Sequence, residues 1–174
     1  MKLILRMATT LNGFVATEEG GTDWVSPEYQ ERLQKAAKEA GNIIIGRTTY
    51  EALVEEKAFP IPGCLNVVMT REAPTREIPK DVIFTDKSPE EVLEDLTKQG
   101  FDSALLAGGG ELDGSFMADG LIDEIILTVE PVAFGEGVKL FGSGFVRREL
   151  DLLETEKVSD TEVELRYRVK RPTL

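Results

Sequence analysis

Three consecutive glycines, Gly108–Gly110, restrict the possible folds of this chain more than any other feature. The apolar run at residues 103–107 before them predicts a short buried strand, and residues 111–118 after them predict a helix. A turn without Cβ atoms lets the backbone approach another segment or a ligand closely. A helix N-terminus after such a turn favours an anion, because its free N–H groups and its dipole attract negative charge. The pattern therefore predicts either an anion-binding site or a plain tight turn between strand and helix.

Strands and helices alternate over the rest of the sequence. Apolar runs and alternating patterns predict strands at residues 2–9, 42–45, 65–69, 78–84 and 122–130. A capping serine followed by proline predicts a helix start at Ser26 and another at Ser88. Glycines near the ends of these two patterns, Gly41 and Gly100, predict where the helices stop. A third, shorter helix is predicted from the turn at Gly46.

The C-terminal part of the chain predicts an antiparallel hairpin. Val146–Val158 and Thr161–Lys170 read as two strands joined across Ser159 and Asp160. Alternating strands and helices that close in such a hairpin predict an α/β fold with one sheet, mostly parallel, and an antiparallel edge.

Composition excludes several classes of function. The net charge of −12 over 174 residues argues against nucleic acid as a partner, because phosphates would be repelled over most of the surface. The sequence contains no histidine, which excludes Ser-His-Asp catalysis and argues against a transition-metal site. Cys64 is the only cysteine, so no intramolecular disulfide can form. Without an apolar run long enough to span a bilayer, the sequence favours a cytoplasmic protein with no membrane contact.

Four short motifs follow the predicted strands in a fixed order. They are Ala8–Gly13, Ile45–Thr48, Val68–Arg71, and Gly108–Glu111 with the later pairs Asp123-Glu124 and Leu127-Thr128. In this order they resemble the dihydrofolate reductase superfamily, and within it most closely the C-terminal reductase domain of the riboflavin-biosynthesis deaminase/reductase and its stand-alone relatives. The resemblance covers nearly the whole chain and implies a single three-layer α/β domain over residues 1–174.

The resemblance implies that NADPH binds across the ends of the strands. The pyrophosphate would lie at the glycine turn and the start of its helix, at Gly108, Gly109, Gly110, Glu111 and Leu112. The residues implied for its other side are Gly46, Arg47 and Thr48, those for the adenosine 2′-phosphate are Thr70 and Arg71, and those bordering the nicotinamide are Ala8 and Gly13. Taken singly, Thr48 is also typical of a helix cap, and either arginine of an exposed surface.

The resemblance also implies candidate catalytic residues. Trp24, after a glycine-rich loop, matches a lid that closes over the reacting groups, although a core tryptophan fits equally well. Arg6 matches a cation on the first strand, and Thr128 belongs to the Leu-Thr motif. An acid is implied beyond the Gly-Arg turn, where Glu55 is the candidate beside Glu51 and Glu56. The family's paired aspartates before a proline are absent from this segment.

Two enzyme readings and one binding reading follow. The first is an NADPH-dependent reductase of a pyrimidine or pterin-like substrate, nearest to 5-amino-6-(5-phosphoribosylamino)uracil reduction in riboflavin biosynthesis. The second is a dihydrofolate reductase. Its usual buried carboxylate would fall at Tyr29 or Gln30, so Glu28 or Glu31 would have to replace it. The third is a nucleotide-binding module without turnover.

A homodimer is also predicted. The resemblance implies it, and the C-terminal hairpin supports it, because an unpaired sheet edge gains from cover by a second chain.

Overall fold

The structure is a computed structural model that describes residues 1–75, 77–144 and 147–171. Its strands are β1 (Lys2–Thr9), β2 (Phe14–Ala16), β3 (Asn42–Gly46), β4 (Leu65–Met69), β5 (Val82–Thr85), β6 (Ser103–Leu106), β7 (Glu124–Val129), β8 (Val138–Lys139), β9 (Leu150–Lys157) and β10 (Val163–Val169). Its helices are α1 (Pro27–Ala40), α2 (Arg47–Glu55), α3 (Pro89–Lys98) and α4 (Gly110–Ala118).

The main sheet has eight strands in the order β5-β4-β3-β6-β1-β7-β10-β9. The six strands from β5 to β7 pair in parallel, whereas β10 is antiparallel to both β7 and β9. Since β1 lies between β6 and β7, its C-terminal end is at the centre of the sheet edge where parallel strands end together. The predicted α/β fold with a mostly parallel sheet and an antiparallel C-terminal hairpin is confirmed.

Helices cover both faces of this sheet and give the three predicted layers. On one face, Leu3 and Leu5 of β1 pack with buried residues of α3 and α4, including Leu96 and Phe116. On the other face, buried residues of α1 and α2 pack with Ile43 and other alternate residues of the strands. Both clusters consist of side chains with almost no exposed area, so burial of apolar surface on both faces stabilises the layered arrangement.

The capping signals place the long helices where the sequence predicts them. The Tyr29 N–H donates to the Ser26 hydroxyl at 3.0 Å, and α1 ends at Gly41 with a φ of 75°. Ser88 and Glu91 form a capping box at the start of α3. These caps satisfy N–H groups that would otherwise lack partners.

Several strands differ from their predicted bounds. The strand predicted at residues 78–84 is observed at Val82–Thr85, because the Val82 N–H donates to the carbonyl of Pro79 in a turn that replaces its first half. The strand predicted from 122 begins at Glu124, since the Asp123 carboxylate accepts the N–H of Leu3. The predicted start of the hairpin, Val146, lies outside the described residues, and the first strand is observed at Leu150–Lys157.

A small second sheet was not predicted. It pairs β2 with β8, strands of three and two residues, which are too short to show a periodic pattern. Within the described ranges, no helix has the length and apolar character needed to cross a membrane.

Candidate cofactor and substrate cleft

The C-terminal ends of the central parallel strands open into a cleft of about 670 Å³. Its walls come from α1, α2, the first turns of α4 and the segment between β2 and α1. Much of the lining is apolar, including Val25, Leu33, Leu53 and Ile61. A concave, largely apolar cavity with a few polar groups at this edge of an α/β sheet is the usual form of a ligand site.

The glycine turn is fixed between two strands of the sheet. Gly108 has a φ of 90°, which residues with a side chain rarely adopt, and the Gly108–Gly109 peptide is cis. The Gly108 carbonyl accepts the N–H of Gly46 at 2.7 Å, and the Gly108 N–H donates to Oδ1 of Asp113 at 3.1 Å. These bonds join the ends of β3 and β6 to α4.

The N-terminus of α4 is open on the cleft side and closed on the other. A Cβ on Gly110 would lie 2.2 Å from the carbonyl oxygen of Lys139, whereas a Cβ on Gly109 would meet only the Thr49 hydroxyl, at 3.6 Å. Gly109 is the N-cap residue and provides no side-chain hydrogen bond to the helix. The first N–H groups of α4 therefore have space beside them, and the anion site stays a prediction.

Most residues predicted for the pyrophosphate meet in this cleft. Those on its wall are Gly46, Arg47, Thr48, Gly109, Gly110, Glu111 and Leu112. Gly108 is buried behind them and supports the turn. Glu111 and Leu112 belong to the first turn of α4, and the Glu111 carboxylate is exposed.

A second helix N-terminus, that of α2, faces the same cleft. Its N-cap residue is Gly46, which again provides no side-chain hydrogen bond. Arg47 is exposed and pairs with two carboxylates, Nε with Glu51 Oε1 at 2.8 Å and Nη1 with Glu72 Oε2 at 2.9 Å. An anionic ligand at this helix would have to compete with these exposed carboxylates, whose pairing with Arg47 is weak in water.

Thr70 and Arg71 lie beside the cleft rather than on its wall. They follow β4, whose last residue, Met69, does line the cleft. The Thr70 hydroxyl bonds to the backbone of Glu72, donating at 3.3 Å and accepting at 3.2 Å, and Arg71 is exposed. Both residues therefore lie at the C-terminal ends of the parallel strands, where the cleft opens, but their proposed contact with a 2′-phosphate stays a prediction.

The two small residues predicted beside the nicotinamide lie in different places. Ala8 is buried and lines the cleft. Gly13 is exposed, has a φ of 89° and does not line the cleft. Its N–H donates to the carbonyl of Thr10 at 3.1 Å, in the turn that leads from β1 to β2.

Trp24 anchors the segment before α1 rather than facing the cavity. Its ring packs edge-on against Phe134 at 5.5 Å between centroids, and its Nε1 donates to the carbonyl of Gly21 at 3.3 Å. The neighbouring residues Gly20, Thr22 and Val25 line the cleft instead. The glycine-rich segment thus covers one side of the cavity, with Trp24 holding it from outside.

Arg6 and Thr128 are not brought to the cleft. Arg6 is 8% exposed, and its Nη2 lies 2.6 Å from Oε2 of Glu164, an oxygen that also accepts the Thr128 hydroxyl at 3.3 Å. The Nε of Arg32 lies 3.9 Å from the same oxygen. This cluster joins β1, β7, β10 and α1, so the pairing with Glu164 explains why Arg6 does not reach the substrate position expected from its place on β1.

The predicted acids are also outside the cleft. Glu28, Glu31 and Glu55 are exposed and do not line it, whereas Glu56 does. Successive residues on a helix point about 100° apart, which separates Glu55 from Glu56 at the end of α2. Of the three acids implied beyond the Gly-Arg turn, Glu51, Glu55 and Glu56, only Glu56 lines the cleft.

The position of the missing folate carboxylate is occupied by two residues of the cleft wall. Tyr29 and Gln30 both line the cavity. The Tyr29 hydroxyl is buried and donates to the carbonyl of Arg6 at 3.2 Å, and burial raises the pKa of this phenol well above its usual value. Tyr29 is therefore neutral at physiological pH and can act only as a hydrogen-bonding or packing group.

Sequence reasoning missed a buried acid under the glycine turn. Asp113 has no exposed area, and desolvation raises its carboxyl pKa well above the usual value, although the Gly108 N–H partly offsets this. Its Oδ2 has no hydrogen-bond partner among the described residues. The signal was present in the sequence, because helical spacing places Asp113 on the same face as Phe116 and Met117.

The mostly parallel sheet, the antiparallel hairpin and the glycine turn at the cleft define a protein with the dihydrofolate reductase-like fold. The RibD C-terminal domain family matches residues 1–163, and the chain belongs to this family. Protein YwjB of Bacillus subtilis (strain 168) is 30% identical over 170 residues, covering 95% of this chain and 97% of that protein.

Two further relatives agree with this assignment. The 2,5-diamino-6-ribosylamino-4(3H)-pyrimidinone 5′-phosphate reductase of Methanothermobacter thermautotrophicus is 23% identical over 170 residues, which cover 76% of this chain and 79% of that protein. The crystal structure of a candidate riboflavin biosynthesis protein from Shewanella sp. PV-4 superposes with a TM-score of 0.83 at 26% identity, covering 98% of this chain and 100% of that chain.

Proposed function

We propose that this protein is an NADPH-dependent reductase that transfers a hydride to a pyrimidine or pterin-like substrate with a C=N bond. One observation carries the proposal: two helix N-termini without side-chain caps, those of α2 and α4, face one largely apolar cleft at the ends of parallel strands. Two such termini suit the two sides of a pyrophosphate. Membership of a family with reductase domains supports the same conclusion.

The residues present fit a dinucleotide. The open space beside Gly109 would let a pyrophosphate oxygen approach the N–H groups of α4, and Thr48 would donate from the start of α2. Arg71, beyond β4, would pair with a 2′-phosphate, which favours NADPH over NADH. Bound there, NADPH supplies the hydride.

The protein's own part in the reaction is positioning and exclusion of water. Ala8 leaves room for a flat ring against the end of β1, and the segment with Thr22 and Val25 covers the opposite side. Holding donor and acceptor carbon in contact in a dry cleft supplies most of what hydride transfer requires. The acceptor nitrogen then takes a proton from solvent or from a polar group of the wall.

The first substrate to assay is 5-amino-6-(5-phosphoribosylamino)uracil, because a curated relative is named as the reductase of a closely similar compound. The measurement is the initial rate of NADPH oxidation with this compound and, in parallel, with dihydrofolate. We expect turnover of the pyrimidine and little or none of dihydrofolate. Pterin reduction gains about 10²–10⁴ in rate from a placed acid, and the matching wall residues here are Tyr29 and Gln30.

Two outcomes would change the assignment. Turnover of dihydrofolate at ordinary enzyme rates, abolished by Glu28→Gln or Glu31→Gln, would establish the dihydrofolate reductase reading. Tight NADPH binding without oxidation by any substrate of either class would instead favour a binding module without turnover.

A further inference from the structure

We infer that the substrate half of the cleft selects a ring compound without a phosphate group, and that Glu56 recognises N–H donors on its edge. The substrate half is the part lined by Thr22, Val25, Gln30, Leu53, Glu56 and Ile61. The inference rests on the proposed reductase function and narrows its substrate class, away from the phosphorylated compound named for the Methanothermobacter relative.

The wall of the substrate half is mainly aliphatic. Val25, Leu53 and Ile61 present hydrocarbon from the covering segment, from α2 and from the connector after it. Ile61 is held in place by Asn66, whose side chain accepts the Ile61 N–H at 2.9 Å and donates to its carbonyl at 2.9 Å. A fixed apolar wall suits a flat ring, which gains free energy from burial, and offers nothing to a charged group.

The charged side chains around the cleft also disfavour a phosphate group on the substrate. Within the described residues, Arg47 is the one cationic side chain on the wall, at the cofactor end, and it already pairs with Glu51 and Glu72. Glu56 and Glu111 are the acids on the wall. A phosphate in the substrate half would therefore have no cation beside it and would face the carboxylate of Glu56.

The arginines behind the wall do not supply the missing cation. Arg6 lies 2.6 Å from Glu164, and Arg32 lies 2.9 Å from Glu162, so carboxylates neutralise both. The chain's net charge of −12 adds a general repulsion. A buried phosphate needs charge-assisted hydrogen bonds from cations to offset its desolvation, and the described residues place none in the substrate half.

Glu56 gives the substrate half its selectivity for N–H groups. Its Oε1 lies 3.5 Å from the Thr22 hydroxyl, across the mouth of the cleft between α2 and the covering segment. An ionised carboxylate only accepts hydrogen bonds, so it favours amino and ring N–H groups, while the Gln30 carboxamide can both donate and accept. The fitting substrate is an amino-substituted or N–H-bearing heterocycle, either free or as an unphosphorylated riboside.

The test compares one ribosylaminopyrimidine with and without its 5′-phosphate. Steady-state NADPH oxidation gives kcat/KM for each form, and calorimetry with NADP⁺ present gives each affinity without turnover. We expect the unphosphorylated form to be preferred about tenfold or more in both measurements, the scale of one charge-assisted interaction. Equal or better use of the phosphorylated form would overturn the inference, as would failure of both forms to bind.

Charge reversal at Glu56 sharpens the test. Glu56→Lys places a cation at the mouth of the substrate half and should shift the preference about tenfold or more toward the phosphorylated form. Glu94→Lys makes the same charge change on an exposed part of α3 and should leave the preference as in the wild type. An equal shift in both variants would show that only overall charge matters, which overturns the role of Glu56. A retained binding preference without any NADPH oxidation would instead overturn the reductase proposal alone.

Discussion

Alanine at Gly109 and at Gly110 should separate the function of the glycine turn from its structure. The two positions are adjacent, but their surroundings differ. At Gly109 the new Cβ would meet only the Thr49 hydroxyl at 3.6 Å, an ordinary contact, on the side where the pyrophosphate is proposed to lie. At Gly110 it would lie 2.2 Å from the Lys139 carbonyl oxygen, so the backbone of β8 or α4 would have to move by about 1 Å.

The expected magnitudes follow from these contacts. Gly109→Ala should change the free energy of unfolding by less than about 1 kcal/mol, since its backbone has an ordinary negative φ. It should weaken NADPH binding about ten- to a hundred-fold, because displacing the anion from the helix forfeits about 1.5–3 kcal/mol. Gly110→Ala should cost about 1–3 kcal/mol of stability through overpacking, with or without cofactor.

Chemical denaturation and calorimetric titration with NADPH measure the two effects separately. Gly135→Ala is the matched control, because its Cβ would have no neighbour within 4 Å and the residue is exposed away from the cleft. A stable Gly109→Ala variant that binds NADPH with wild-type affinity would show that the glycine run is only a turn. If Gly109→Ala were as destabilised as Gly110→Ala, the inference that only Gly109 has room for a Cβ would be refuted.

Three further outcomes can be measured. Arg71→Ala should reduce the preference for NADPH over NADH about ten- to a hundred-fold in thermal-shift titrations, while the Tm of the unliganded protein stays unchanged. Equal increases of the wild-type Tm with both cofactors would contradict the 2′-phosphate site. Burial raises the pKa of Asp113, so the native state binds this proton more tightly and the wild type loses stability as the pH rises above about 4. Asp113→Asn keeps an acceptor for the Gly108 N–H and should therefore gain stability over the wild type between about pH 5 and about pH 8. A stability difference that is independent of pH would refute this. Light scattering should give twice the chain mass of 19.2 kDa, because edge strand β9 exposes Leu152 by 57% and Leu153 by 39%. Leu152→Glu should favour the monomer. A wild-type monomer at micromolar concentration would contradict the dimer.

The elements that local sequence could predict were those with a local physical cause. The glycine turn follows from three residues without side chains, and the starts of α1 and α3 follow from Ser26 and Ser88. The ends of these two helices could be predicted as well, because glycine stop signals act over a few residues.

The unpredicted features depend on contacts between distant residues. Arg6 reads as one polar residue of an alternating strand, and its burial depends on Glu164, 158 positions later. The choice between Glu55 and Glu56 depends on where the end of α2 faces, which periodicity places to within a residue or two at best. Family resemblance implied a site at the strand ends, but the orientation of Arg6 was decided by its pairing with Glu164 across the sheet.

The close contact between α4 and residues 139–141, at the end of β8 and just after it, limits how this part of the chain can vary in evolution or by design. A Cβ at Gly110 or Gly114 would meet the carbonyl oxygen of Lys139 at 2.2 Å or that of Phe141 at 2.3 Å. Every amino acid carries that oxygen, so no replacement of the side chains at 139 or 141 can make room. A library that randomises both segments should therefore return glycine at 110 and 114 whatever it accepts opposite them, and only a changed length of the facing segment could release the constraint.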